Sequence, residues 1–368
     1  MAEIRVDKLH KAFGDFVAVR ESDFTVRDGD FFCLLGPSGC GKTTTMRMIA
    51  GLELPTSGRI LLDGEDVTFR RASHRDIAFV FQLFALYPHM NVRANIAFPL
   101  KAQGMPRGEI RTRVEEVARI LRIAPLLDLP VSGLSSGDRQ RVALGRAIVR
   151  QPKAFMMDEP LGALDAEFRE LMCGELRALH DRLRATTVYV THDQLEAMSM
   201  ADTIAIMNEG VIEQVGTPRT VYEQPASLFV ADFVGSPAMN FIPFRAALAE
   251  GAAEVRIDDV AVPVPPLREA VEDSELVLGV RPEHIELTDP NEAAPLRARV
   301  FGVEYMGTTQ IVTLNPAGGG TLKARVSSEL AVRAGDNVGL HLRPERLSVF
   351  RKRDGRALKS RLHEVPHG

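Results

Sequence analysis

Tryptophan is missing from this 368-residue chain, and tyrosine and cysteine occur only four and three times. Cys33, Cys40 and Cys173 lie far apart without metal-ligand spacing. That excludes a disulfide framework and a structural zinc site, and it fits a reducing compartment. Long apolar runs are lacking as well. The longest stretch free of formal charge, Tyr305 to Leu322, carries four glycines, Asn315, Pro316 and Gln310, so it reads as strand plus turn rather than a bilayer span. The opening MAEIRVDKLHKAFGDF is charged every few residues and has no apolar stretch, so no signal peptide is expected. Nor is there an excess of one charge. The net charge of -4 provides no basic field to draw the chain to nucleic acid or anionic lipid. What remains is 45% hydrophobic and 26% charged, the balance of an ordinary globular protein. At 368 residues it exceeds the roughly 250–300 that one core holds, so two domains are expected, 1–235 and 236–368.

The first 235 residues alternate short β-rich runs with helical patterns, the mark of an α/β fold with a mainly parallel sheet. DFFCLLG (30–36), IAFVF (77–81), AFMMD (154–158), TTVYV (186–190) and TIAIM (203–207) read as buried strands. KTTTMRMIAG (42–51) reads as a helix stopped by Gly51. A helical insert is expected at about 86–150, where Ile110, Val114, Val117 and Leu121 fall on one face. Its beginning, 83–100, is apolar but too broken by Pro and Asn to form one core helix. From Ser236 the pattern becomes short strands punctuated by Gly and Pro, a small all-β domain of barrel type. GVRPEHIEL (279–287) and HLRPERLSV (341–349) echo one another there. Two related modules, or one barrel completed from two halves, would produce that echo.

Chemistry concentrates in the first domain. GPSGCGKT (36–43) follows a buried strand and opens a helix, the context of a phosphate-binding P-loop. Gly36, Gly39 and Gly41 let the backbone turn its N–H groups to one point, and the helix adds its positive end. Lys42 supplies a charge for terminal phosphates and Thr43 a hydroxyl for Mg²⁺; Pro37, Ser38, Cys40 and Thr44 complete the expected lining of an ATP site. Asp158 and Glu159 close an apolar strand, which puts both at the carboxyl end of the sheet. Asp158 suits a metal and Glu159 suits polarisation of an attacking water.

Further along, LSSGDRQ (134–140) resembles the signature loop of ABC-transporter ATPases. Gln82 resembles their Q-loop and metal contact, LGALD (161–165) with Asp165 their D-loop, and His192 their switch histidine. Phe13 matches the aromatic that stacks on adenine, although a strand core residue would look the same. The likeness runs along the whole chain and is strongest to ATPase subunits of maltose- and glycerol-3-phosphate-type importers. It implies a P-loop ATPase domain followed by a regulatory β-domain of OB/TOBE type. It also implies that Ser135, Ser136, Gly137 and Asp138 meet ATP bound by a second ATPase subunit. The other partners implied are integral-membrane permease subunits and, indirectly, a solute-binding protein. The place implied is the cytoplasmic face of the plasma membrane. Residues 83–100 would line the groove for a permease helix.

The signature departs from the usual pattern. Ser136 stands where glycine is usual, Asp138 where glutamine is, and Gly162 where serine is common in the D-loop. A carboxylate near a triphosphate is repulsive, so one reading is a weakened lent half-site and a second, non-identical ATPase chain; the other is drift without consequence, which leaves a homodimer equally open. Two other readings are a soluble ABC protein acting on nucleic acid and a P-loop kinase or GTPase. The single cassette speaks against the first, and the signature loop and His192 against the second.

Overall fold

The computed structural model describes residues 2–81, 85–162, 164–257, 260–290 and 296–364. Two compact units emerge, Met1–Pro218 and Arg219–Gly368. The first begins with strands β1 (Ile4–Phe13), β2 (Phe16–Val26) and β3 (Phe31–Leu35), helix α1 (Lys42–Ala50), and strands β4 (Ser57–Leu62), β5 (Glu65–Asp66) and β6 (Ile77–Val80). Helices α2 (Val92–Ala102), α3 (Arg107–Ile120) and α4 (Ser136–Ile148) form the expected insert. Then follow β7 (Ala154–Asp158), α5 (Ala166–Leu183), β8 (Thr186–Thr191), α6 (Gln194–Met200), β9 (Thr203–Asn208) and β10 (Val211–Gly216).

Six strands make one sheet in the order β10-β9-β3-β8-β7-β6, parallel except for β10. Strands β3 and β8 are buried at every residue, the three threonines of β8 included, as strands in the middle of a parallel sheet covered on both faces are. Because β3, β7 and β8 are parallel neighbours, the loops that leave them open on one sheet edge. A second, antiparallel sheet, β2-β1-β4-β5, shares the core through Leu9, Val19 and Phe24, whose ring stacks on Phe32 at 5.2 Å. On α3, Ile110, Val114 and Val117 are buried on one face, with Leu121 just past its end.

Within 83–100, residues 83 and 84 lie outside the described residues, and 85–91 are not helical, so the stretch is not one helix, as expected. Residues 92–102 are helical, with Pro99 inside. The asparagines support this helix instead of breaking it. Asn91 caps it by accepting the Ala94 N–H at 2.8 Å, and the buried Asn95 accepts the Tyr87 N–H at 2.9 Å.

In the second unit, α7 (Pro218–Glu223), which starts at the junction, and α8 (Leu228–Phe233) precede ten strands among the described residues. These are β11 (Asn240–Leu248), β12 (Glu254–Ile257), β13 (Val260–Pro263), β14 (Val271–Val280), β15 (Ile285–Thr288), β16 (Leu296–Tyr305), β17 (Thr309–Pro316), β18 (Leu322–Ser327), β19 (Asn337–Leu342) and β20 (Ser348–Arg351). They form three sheets, β11-β14-β20, β12-β13 and β15-β19-β16-β17-β18, around a main apolar core, with a smaller cluster of Ala231, Met239, Val277 and Phe350 beside it. Each Arg-Pro-Glu makes a short 3-10 turn, joining β14 to β15 and β19 to β20. The two arms are exchanged: β14 pairs with β20, and β15 with β19. The echo therefore marks a single module completed from two halves.

The compact division falls at 218/219, earlier than the 235/236 expected. Arg281 of the first Arg-Pro-Glu explains why. Its buried guanidinium donates to the carbonyls of Tyr222, Ala231 and Val234 and lies 4.1 Å over the Tyr222 ring. Residues 219–235 are thereby tied to the β-unit. Arg343 of the second echo is exposed and donates to Glu286 at 2.7 Å.

Candidate functional site

Strand β3 delivers the chain into the glycine-rich loop, and α1 carries it away. Gly41 holds φ at 105°, and a Cβ there would sit 2.4 Å from the Ala18 carbonyl of β2, so only glycine fits. No side chain caps α1, which leaves its N-terminal backbone and positive dipole end facing the loop. Ser38 and Gly39 are exposed, Pro37 half-buried, and Gly36 and Cys40 buried. Lys42 is only 4% exposed, and its Nζ donates to the Gly36 and Pro37 carbonyls, both at 2.8 Å. That fixes a cation directly over the loop. Thr43 and Thr44 are half-buried on the first turn.

The other end of α1 has an anchor that sequence reasoning missed. Arg75 is buried and donates to the carbonyls of Met48, Ile49, Thr68 and Arg70. Gly51, at φ 75°, ends the helix where a Cβ would lie 2.6 Å from Arg75 Nε.

Two parallel neighbours bring the remaining groups to the same edge. Thr43 Oγ1 donates to Asp158 Oδ1 at 2.9 Å, joining the start of α1 to the end of β7. Burial pushes the Asp158 carboxyl above its usual range; the Thr43 bond opposes this and the Glu159 charge adds to it. Glu159 takes a left-handed backbone, φ 42°, while its N–H donates to Val190 of β8 at 3.0 Å. Its Oε1 lies 3.3 Å from His192 Nδ1, at the end of β8, with the histidine 53% exposed. A hydroxyl and a carboxylate oxygen at 2.9 Å are hard donors suited to Mg²⁺. Among the described residues no cluster of three or more His, Cys, Asp or Glu could cage a metal. An ion that keeps water and phosphate oxygens in its shell fits such a sparse protein contribution.

Phe13 is 47% exposed with Lys11 Nζ 4.6 Å over its ring, so it is not a core residue. Gln82 lies outside the described residues. Asp165 is exposed just before α5. Beside it, Arg169 donates to the Leu164 carbonyl at 3.1 Å and to Asp193 at 2.9 Å, a link that the sequence did not reveal. Asp193 caps α6 immediately after His192. Residues 135–138 lie at the start of α4. Ser135 is the N-cap, Ser136 Oγ accepts from Arg139 at 3.4 Å, Gly137 is buried, and Asp138 bonds to Ser135 and Arg141.

Residues 19–162 match the family model of the ABC transporter, 235–285 that of the MalK OB fold domain and 278–350 that of the TOBE domain. The trehalose/maltose import ATP-binding protein MalK of Thermococcus litoralis is 47% identical over 97% of this chain and its own full length. The chain belongs to the ATP-binding subunits of ABC transporters. Other ABC relatives include the trehalose import ATP-binding protein SugC of Mycobacterium tuberculosis, 45% identical over all of both chains. The sn-glycerol-3-phosphate import ATP-binding protein UgpC of Yersinia enterocolitica is 43% identical over 98% of this chain and all of its own. Among solved structures, cbiO1 of Clostridium perfringens, part of the ABC transporter complex cbiONQ, aligns with TM-score 0.56 and 28% identity. It covers 59% of this chain and 89% of its own. The OB match begins at 235, where the sequence put the domain boundary, although 219–235 packs with that unit.

Proposed function

We propose that this ABC subunit hydrolyses ATP to energise import of a carbohydrate-type solute, a sugar, oligosaccharide, polyol or glycerol phosphate, through a membrane permease. The observation that carries the reading is the convergence of Lys42, the Thr43–Asp158 bond and the Glu159–His192 pair on one sheet edge. The backbone N–H groups of 36–44 and Lys42 would receive the triphosphate, and Phe13 would stack on the base. Thr43 and Asp158, with Gln82, would hold Mg²⁺, which screens phosphate charge when bound. Glu159 accepts a proton from the attacking water, and His192 at 3.3 Å orients that carboxylate.

Names of full-length relatives that import trehalose, maltose and glycerol phosphate support the solute class. Among the described residues no helix is long and apolar enough to cross a membrane, so attachment at the cytoplasmic face would run through the permease. The signature at α4 would complete the ATP site of a second ATPase subunit. A partner with an ordinary signature would spare the ATP site on this chain's own P-loop, whereas a second copy of this chain would bring Asp138 to both sites; Arg141 pairs with that carboxylate at 3.4 Å but shares its one charge with Glu175.

Glu159→Gln keeps every binding group and removes the proton acceptor. It should retain ATP binding while turnover falls at least ~100-fold. Parental steady-state hydrolysis by the purified variant would refute the assignment. Uptake of labelled trehalose, maltose and glycerol 3-phosphate by vesicles holding the complete transporter tests the solute class.

A further inference from the structure

Asp138 is the residue at which this signature departs in charge from the usual LSGGQ pattern, and its carboxylate makes two side-chain contacts. Ser135 Oγ donates its proton to Asp138 Oδ2 at 2.7 Å, while the same oxygen accepts the Asp138 backbone N–H at 3.1 Å. The other carboxylate oxygen, Oδ1, lies 3.4 Å from Arg141 Nη1. Arg141 is in turn held by both oxygens of Glu175 on α5, at 3.2 and 3.3 Å. The carboxylate is therefore held at both oxygens, with Arg141 sharing its single charge between Asp138 and Glu175. It forms the middle of a chain that runs from the serine hydroxyl through Arg141 to the neighbouring helix.

We propose that Asp138 is a positioning residue that latches the Ser135 hydroxyl. A hydroxyl has one proton to give. While Asp138 Oδ2 takes it, Ser135 offers an incoming γ-phosphate only lone pairs, which repel an anion. Engagement of the phosphate requires the hydroxyl to turn from Oδ2, breaking one charge-assisted hydrogen bond as another forms. No bond other than these hydrogen bonds changes. The helix cap survives the turn, because it uses the backbone N–H of residue 138 and not its side chain. Arg141, 3.4 Å from Oδ1, holds the carboxylate in place as an acceptor. The latch raises the ATP concentration at which two subunits close, a threshold set by the altered signature itself. This inference rests on the reading that Ser135 meets the phosphate bound by a second subunit.

The test is a double-mutant cycle on the purified full-length chain, with the ATP dependence of hydrolysis measured for the parent, Asp138→Ala, Ser135→Ala and the pair. Circular dichroism verifies that each is folded. Opening the latch should lower the ATP concentration at half-maximal turnover by about three- to tenfold in the Ser135 background. In the Ser135→Ala background, removing Asp138 should change it less than about twofold. An equal decrease in both backgrounds would mean that Asp138 acts through its charge alone, and the latch would be wrong. No decrease with Asp138→Ala would overturn it as well. If Ser135→Ala leaves hydrolysis at the parental level, the phosphate role of the signature fails, and the latch fails with it.

Discussion

Glu159, the proposed proton acceptor, sits on a strained backbone. Its φ of 42° lies in the left-handed region that a non-glycine residue enters at about 1–2 kcal/mol. The conformation persists because the Val190 carbonyl holds its N–H and the Gly162 N–H donates to its own carbonyl at 3.2 Å. The turn aims the side chain at His192 and not into the strand ladder. The carboxylate also adds to the cost of ionising its buried neighbour Asp158. Glu159→Gly removes the side chain and adopts this backbone freely. It should melt a few degrees above the parent in differential scanning calorimetry while losing turnover. A lower melting temperature would show that no strain is stored there.

Among the elements, α1 depends on an anchor at each end. Its first turn is tied to β7 by Thr43, and its last turn to Arg75. Arg75→Ala would strand the buried carbonyls of Met48, Ile49 and Thr68, at a cost on the order of 3 kcal/mol. The urea midpoint of the ATPase unit should fall accordingly. Lysine should not rescue it, because a point charge cannot serve four carbonyls at once. A midpoint unchanged in Arg75→Ala would show that water replaces the guanidinium. The same helix illustrates what a sequence can reveal. Its start at Lys42 and its stop at Gly51 were legible, because a P-loop and a left-handed cap have local patterns. Strands β3, β7, β8 and β9 were legible as apolar runs buried on both faces. Arg75 was not, since its partners lie up to 27 residues away and an arginine among charged neighbours reads as surface. Arg169 and the Ser135–Asp138 bond escaped for a related reason. Spacing suggests a cap or a salt bridge, but it does not say which hydrogen goes to which oxygen.

For the whole molecule, the division at Pro218 changes where the chain can be cut. A chain ended at Gly235 keeps 219–235 but loses the Arg281 that holds their carbonyls. One ended after Pro218 keeps every strand of the six-stranded sheet, α1 and the residues proposed to bind nucleotide. The shorter chain should bind ATP, measured by fluorescent-nucleotide titration, and unfold in one sharp transition. The chain ended at Gly235 should gain nothing in stability from its 17 further residues. If it proves clearly more stable to urea, the segment belongs with the ATPase after all.

The exchanged arms of the second unit also govern the order in which the chain can mature on a ribosome. Strand β14 acquires its partner β20 only after about 70 more residues have been made, as the pairing of Val277 with Phe350 shows. At ordinary synthesis rates that is a delay of roughly 4–15 s, during which an edge rich in valine and leucine has no mate. The nucleotide-binding unit ends long before that point, so each nascent chain carries a finished ATPase and an open β-half side by side. Any message cut short before codon 348 would yield that species permanently, a natural client for chaperones and a poor one for assembly.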